Sequence, residues 1–238
     1  MEIAIALVLA IAFSFILKKP IKACPWAFYL LAVVVAVGFA VITSSGTIPA
    51  WLRPVYPYLQ RCLFAFGLFV VVMFIGVTSP TSRIRHYLVP IRGELSIIAA
   101  ILVAGHVANY LDSYIDQFLS GFVGISTPMI VSFCIAFLLL ILLVILAVTS
   151  FATIRRAMNG AVWKRVQLLA YPFFILTYFH ILFLLGPSAG SPGQKAFVSV
   201  AVYSVIFAAY VILRVGRAVL DRRAAAATKL DEKCCSAS

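Results

Sequence analysis

Polar residues in this chain are gathered into short clusters that separate long, almost uninterrupted apolar runs. Neither the strict alternation of a half-buried strand nor the one-sided stripe of a surface helix organises the pattern. The runs cover Glu2–Leu17, Cys24–Thr43, Leu59–Val77, Leu95–Leu111, Pro128–Thr153, Val166–Leu185 and Ala196–Leu213. Most reach the roughly 17–25 residues that a helix needs to cross a bilayer, the first being the shortest. Turn formers punctuate them at Ser44-Ser45-Gly46, Thr78-Ser79-Pro80 and the segment from Gly186 to Gly193. The pattern predicts an all-α integral membrane protein, a bundle of about seven transmembrane helices over residues 1–214 followed by a polar tail over 215–238.

Composition strengthens that expectation. Of the 238 residues, 64% are hydrophobic and 11% charged, and the mean hydropathy is +1.12. One soluble core of this size cannot hide so much apolar surface, whereas a hydrocarbon solvent accepts it. The basic residues then set an orientation. Lys18, Lys19, Lys22, Arg83, Arg85, Arg92, Arg155, Arg156, Lys164, Arg165, Arg214, Arg217, Arg222, Arg223, Lys229 and Lys233 fall at one set of helix ends. The opposite ends hold Arg53, Arg61 and Lys195, with Asp112 and Asp116. The positive-inside rule puts the N-terminus outside and the C-terminus in the cytoplasm. It also reads the net charge of +12 as a topology signal with attraction to membrane lipid, not as a nucleic-acid footprint. The first run starts Met1-Glu2 without a basic leader, so it is expected to stay as a span. Cys24, Cys62, Cys134, Cys234 and Cys235 form no CxxC or CxxCH, which argues against zinc and covalent haem.

Away from their ends, where Glu2 and Arg61 stand, the runs hold no Asp, Glu, Lys or Arg. His106 and His180 are the ionisable exceptions, while His86 sits in a basic loop. An intramembrane imidazole either joins a neighbouring helix or ligates a metal. Counted at about 1.5 Å per residue from the basic ends, His106 lies about 18–21 Å and His180 about 22–24 Å along its helix, in the outer half. Two histidines at one depth on different helices suit the two axial positions of a haem iron. The aromatic run Tyr171-Pro172-Phe173-Phe174-Ile175-Leu176-Thr177-Tyr178-Phe179 and the small residues Ala104-Gly105 beside His106 suit a large flat ligand, and equally suit plain helix packing.

These residues also resemble a family pattern. Arg92, fourteen positions before His106, and Tyr110, four after it, are similar to the Arg-(x)13-His-(x)3-Tyr signature of the ferric-reductase-like transmembrane domain. More closely they resemble its YedZ/MsrQ branch, the haem-binding membrane subunit of a bacterial periplasmic methionine-sulfoxide reductase system. Leu146-Ala147-Val148-Thr149-Ser150, Arg155-Arg156-Ala157-Met158-Asn159-Gly160 and Trp163-Lys164-Arg165-Val166-Gln167 extend the likeness, which covers about residues 78–185. It implies a six-helix ferric-reductase-like core in a bacterial inner membrane. It also implies haem b ligated by His106 and His180, with Ala104, Gly105, Tyr110, Phe174 and Tyr178 as haem-pocket candidates. Where the family has a second histidine after the tryptophan this chain has Gln167, and Gly93 stands where an inner partner is sought. Glutamine is a poor iron ligand, so one haem in the outer layer is expected.

No GxGxxG occurs, and the tail is expected to be too short for a flavin or nicotinamide domain. Electrons are therefore expected from a quinol or a flavoprotein partner, and to leave towards an extracytoplasmic redox partner protein. Arg92, Trp163, Arg165, Gln167 and Tyr171 are the candidate docking place for a quinone or FMN, against the plain reading of a basic loop with a Trp anchor. The alternatives are a haem-free scaffold or a transporter. A transporter usually shows buried carboxylates or inverted repeats, and neither is evident here.

Overall fold

A computed structural model describes residues 2–189 and 194–236. The side chains of Lys195, Lys229, Lys233, Cys234 and Cys235, and segment 190–193 at the end of the predicted turn, lie outside the described residues. Every regular element among the described residues is helical. In chain order they are α1 (Glu2–Ile16), α2 (Lys18–Ala23), α3 (Pro25–Ser44), α4 (Tyr56–Gln60), α5 (Leu63–Ile75), α6 (Arg83–Leu88), α7 (Arg92–Leu119), α8 (Thr127–Ser150), α9 (Ala152–Ala157), α10 (Gly160–Gln167), α11 (Ala170–Ala189) and α12 (Gln194–Ser236), with a 3₁₀ turn at Val89–Ile91 before α7.

Five stretches are long and apolar enough to cross a membrane: Pro25–Ser44, Arg83–Leu119, Thr127–Ser150, Gly160–Ala189 and Ala196–Arg223. The helices α1 and α5 are apolar but shorter. At about 1.5 Å per residue they span roughly 22 Å and 20 Å, less than a full hydrocarbon core. The outward surface is apolar as well: Leu30, Val34 and Val41 on α3, Phe137 and Val144 on α8, and Val205 and Ile212 on α12 are all exposed. Side chains of this kind facing outwards over several helices belong against lipid.

Helix α5 lies at the centre. Leu63, Ala65, Phe66, Leu68, Val70, Val71 and Ile75 are all buried on it. One face meets α1, where Gly67 comes so close that an added Cβ would stand 2.8 Å from the Ala10 Cβ. Another meets α7 through Leu95 and Ile98. A third meets the aromatic cluster of Phe174 on α11 with Tyr203, Phe207 and Tyr210 on α12. Helices α3 and α8 flank α7, and α8 packs along α11.

Contacts between elements gather the predicted basic ends at one end of this bundle. Lys18 lies over the Tyr87 ring, 3.7 Å from its centroid. Trp26 stacks on Phe151, and the Arg214 guanidinium lies 4.9 Å from the Tyr171 centroid. Gathered at the other end are Glu2 with Arg61, Phe39 with Tyr56 and Tyr114 with Phe133.

The structure departs from the hydropathy reading at four places. The run Leu59–Val77 is not one helix: α4 ends at Gln60, and Cys62 turns the chain with φ 55° before α5 begins. The run from Val166 is broken at Leu168 and Leu169, between α10 and α11. Helix α7 outlasts its apolar run and carries Asp112 and Asp116 on its last turns. Helix α11 continues through Gly186 and Pro187, where a turn is predicted. The backbone of the polar tail continues α12 to Ser236.

Candidate functional site

Helices α7 and α11 are held apart by α5 on one side and α8 on the other. Phe69 of α5 meets Phe173 of α11 with ring centroids 5.2 Å apart, and Leu142 and Leu143 of α8 pack with Ala100 of α7 and Phe173. The two intramembrane histidines come from α7 and α11, both in the half of the bundle away from the basic loops. They are half-buried and within electrostatic reach of each other.

Each histidine is anchored through the same ring atom. Nδ1 of His106 lies 2.8 Å from the carbonyl oxygen of Gln60. That oxygen can only accept, so Nδ1 carries the hydrogen, and the neutral ring has its lone pair on Nε2. The acceptor exists because α4 stops at Gln60: the turn through Cys62 leaves end-of-helix carbonyls without an intrahelical partner. Nδ1 of His180 lies 3.1 Å from the carbonyl oxygen of Ser132 and 2.9 Å from its hydroxyl, and that hydroxyl donates to the carbonyl of His180 at 3.2 Å. Again the donor is Nδ1 and the free lone pair is Nε2. Ligating histidines are commonly oriented this way, with the remote N–H given to a carbonyl. Ser132 is fully buried on α8. A serine within a helix usually returns its hydroxyl to its own preceding turn, so sequence reading passes it over.

The haem-pocket candidates divide. Tyr110 stands beside His106, with ring centroids 5.0 Å apart. Gly105 does not open room for a macrocycle. A Cβ there would stand 2.6 Å from the Cβ of Ala36, so the glycine serves the close approach of α3 to α7. Ala104 is exposed. Phe174 is 1% exposed, and rings of Phe66, Phe207 and Tyr210 surround it. Tyr178 turns towards α12, its hydroxyl 2.9 Å from that of Ser204. His86 is exposed on α6, its Nδ1 3.1 Å from the Ser82 carbonyl. Gly93 lies against the Ser150 carbonyl. No group of three or more His, Cys, Asp or Glu suited to a metal ion occurs among the described residues.

Between the same four helices, at the basic end, lies a cavity of about 380 Å³. Four of the five predicted docking residues line it, namely Arg92, Trp163, Gln167 and Tyr171. Arg165 is exposed and is not part of the lining; its neighbour Lys164 is. Apolar walls come from Phe69, Met73, Ala100, Leu143 and Phe173. Two neutral donors are already engaged at the rim: Trp163 Nε1 donates to the Thr149 carbonyl at 3.0 Å, and the Gln167 amide to the Thr149 hydroxyl at 3.1 Å.

No family model matches the chain, and no solved structure matches it. An uncharacterized protein of Treponema pallidum (strain Nichols) is 34% identical over 213 residues, which is 89% of this chain and 59% of that relative. The chain therefore spans about three-fifths of the length of the curated relative it matches.

Proposed function

We propose that the chain is a membrane electron-transfer subunit, holding one haem b between Nε2 of His106 and Nε2 of His180. The observation that carries this reading is the matched anchoring of the two imidazoles. Nδ1 of each is committed to a backbone carbonyl, Gln60 or Ser132, so both rings keep their lone pair on Nε2. The donor set fits a low-spin iron site, which takes one nitrogen on each side. The spacing of Arg92, His106 and Tyr110 that resembles the ferric-reductase-like signature supports the same reading.

A haem at this position supplies a one-electron iron couple within the bilayer. The chain's own residues do the rest. Gln60 and Ser132 hold the two rings in one tautomer. The cluster of Phe66, Phe174, Phe207 and Tyr210 excludes water from the centre of the bundle. Seven crossings, with the two short helices α1 and α5 among them, give an N-terminus outside and a C-terminus in the cytoplasm of a bacterial inner membrane. Electrons then enter from a quinol or a flavoprotein on the basic side and leave to an extracytoplasmic acceptor protein.

The competing reading is a haem-free scaffold, whose histidines do no more than tie α7 to α4 and α11 to α8. A dithionite-reduced minus oxidised absorption spectrum separates the two. Protein purified in detergent from haem-replete cells is expected to show a sharp b-type α-band, lost or converted to high-spin in both His106→Ala and His180→Ala. Folded protein without haem overturns the proposal in favour of the scaffold.

A further inference from the structure

The cavity at the basic end has a polar character that points to a particular kind of ligand. Its neutral donors on the α10 rim, Trp163 and Gln167, are committed to Thr149. Besides the Tyr171 and Tyr210 side chains, the donors left facing it are two cations, Arg92 and Lys164. Neither has an ion-pair partner among the described residues. Arg85 and Arg155 stand within electrostatic reach of Arg92, which adds like charge to the same corner. Neither of the two carboxylates described in this half lines the cavity: Glu94 is within electrostatic reach of Tyr29 of α3, and Asp221 is paired with Arg217 at 2.6 Å. A like-charged cluster at the mouth of an apolar cavity repels itself until an anion joins it.

We propose that this cavity is a specific site for an anionic phospholipid, its phosphate held by Arg92 and Lys164 and one acyl chain laid along Phe69, Ala100, Leu143 and Phe173. Basic recesses between membrane helices at the headgroup level are suited to such lipids. The polar rim and apolar floor match a headgroup joined to a hydrocarbon chain. A neutral quinone head leaves both charges unpaired, and a zwitterionic lipid brings its own cation to a rim that already holds two. The inference does not depend on haem, and a haem-free preparation binds the lipid equally.

Trp163 lines the cavity and reports on it directly. Trp26 and Trp51 are exposed, at 68% and 70%, so Trp26→Phe/Trp51→Phe leaves Trp163 as the single indole with the cavity untouched. Delipidated protein of this background is titrated in neutral detergent with phosphatidylglycerol brominated on its chains, and in parallel with brominated phosphatidylcholine. Saturable quenching at one lipid per chain is expected for the first and not for the second. Arg92→Gln/Lys164→Gln is expected to bind about 30-fold more weakly, from two charges lost. If that double variant does not fold, Ala100→Leu keeps both charges, fills the floor and is expected to abolish saturable quenching. Equal quenching by the two lipids, or quenching that never saturates, overturns the proposal in favour of general lipid contact. So does a stoichiometric quinone or flavin recovered with the purified protein and displaced by Ala100→Leu.

Discussion

Gly105 is where packing and candidate chemistry meet, and Gly105→Ala tests the connection. The new Cβ would stand 2.6 Å from the Ala36 Cβ and 3.2 Å from its Cα. Non-bonded carbons settle at about 3.5–4.0 Å, so α3 and α7 must part by roughly 1 Å. Overpacking of this kind typically costs about 1–3 kcal/mol. The neighbouring His106 reaches Gln60 at 2.8 Å, and Asn109, one turn on, accepts from Thr43 of α3 at 2.6 Å. Both bonds are expected to lengthen as the helices separate. Stability is measured by denaturation in mixed micelles beside Ala36→Gly, which removes the other half of the clash. Ala36→Gly alone is expected to destabilise by about 0.5–1 kcal/mol, the usual effect of glycine within a helix. The double variant Ala36→Gly/Gly105→Ala is expected to recover most of what Gly105→Ala loses, an interaction well outside additivity for independent sites. Losses that simply add would mean that the two helices do not meet at these residues, and would refute the packing described here.

Further expectations follow from the same geometry. Ser132→Ala removes the hydroxyl that meets His180 Nδ1 at 2.9 Å but leaves the Ser132 carbonyl in place. It should cost about 1 kcal/mol in the same denaturation assay, within the range of hydrogen bonds between membrane helices. It should also shift the midpoint potential of bound haem without releasing it, and complete loss of haem would show that the carbonyl alone does not orient the ring. Arg61→Ala breaks an ion pair with Glu2 whose side chains are 62% and 47% exposed. Stability should stay within about 0.5 kcal/mol, and a larger loss would mean that the contact steers the packing of α1 on α5.

Most of the helical architecture was legible from hydropathy because each long apolar run must satisfy its backbone internally, and a helix does so within one segment. The breaks were not legible. Nothing in Leu59-Gln60-Arg61-Cys62-Leu63 carries a proline or glycine signal; there the tertiary bond from His106 takes up a carbonyl that the turn leaves free. The opposite error arose at Gly186 and Pro187, where local turn chemistry argued for a stop and α11 continued. Within the candidate site, His106 and His180 were conspicuous because ionisable groups are rare in hydrocarbon. Their partners were hidden, one being a main-chain carbonyl and the other a serine of ordinary appearance. The basic-end cluster was largely readable, yet Lys164 faces the cavity and Arg165 does not, since the residue facing inwards is decided by how α10 turns against α8. Gly105 and Phe174 suited either a flat ligand or plain helix packing in the sequence, and their neighbours Ala36 and Phe66 give them packing roles.

The most direct test of the central claim is haem stoichiometry by the pyridine haemochrome assay, joined to low-temperature electron paramagnetic resonance of the oxidised protein. The expected result is one haem b per chain with a low-spin signal of two imidazole ligands, and no such signal in His106→Ala/His180→Ala. Folded protein without haem, or a low-spin signal that survives in the double variant, would contradict the assignment of these two histidines.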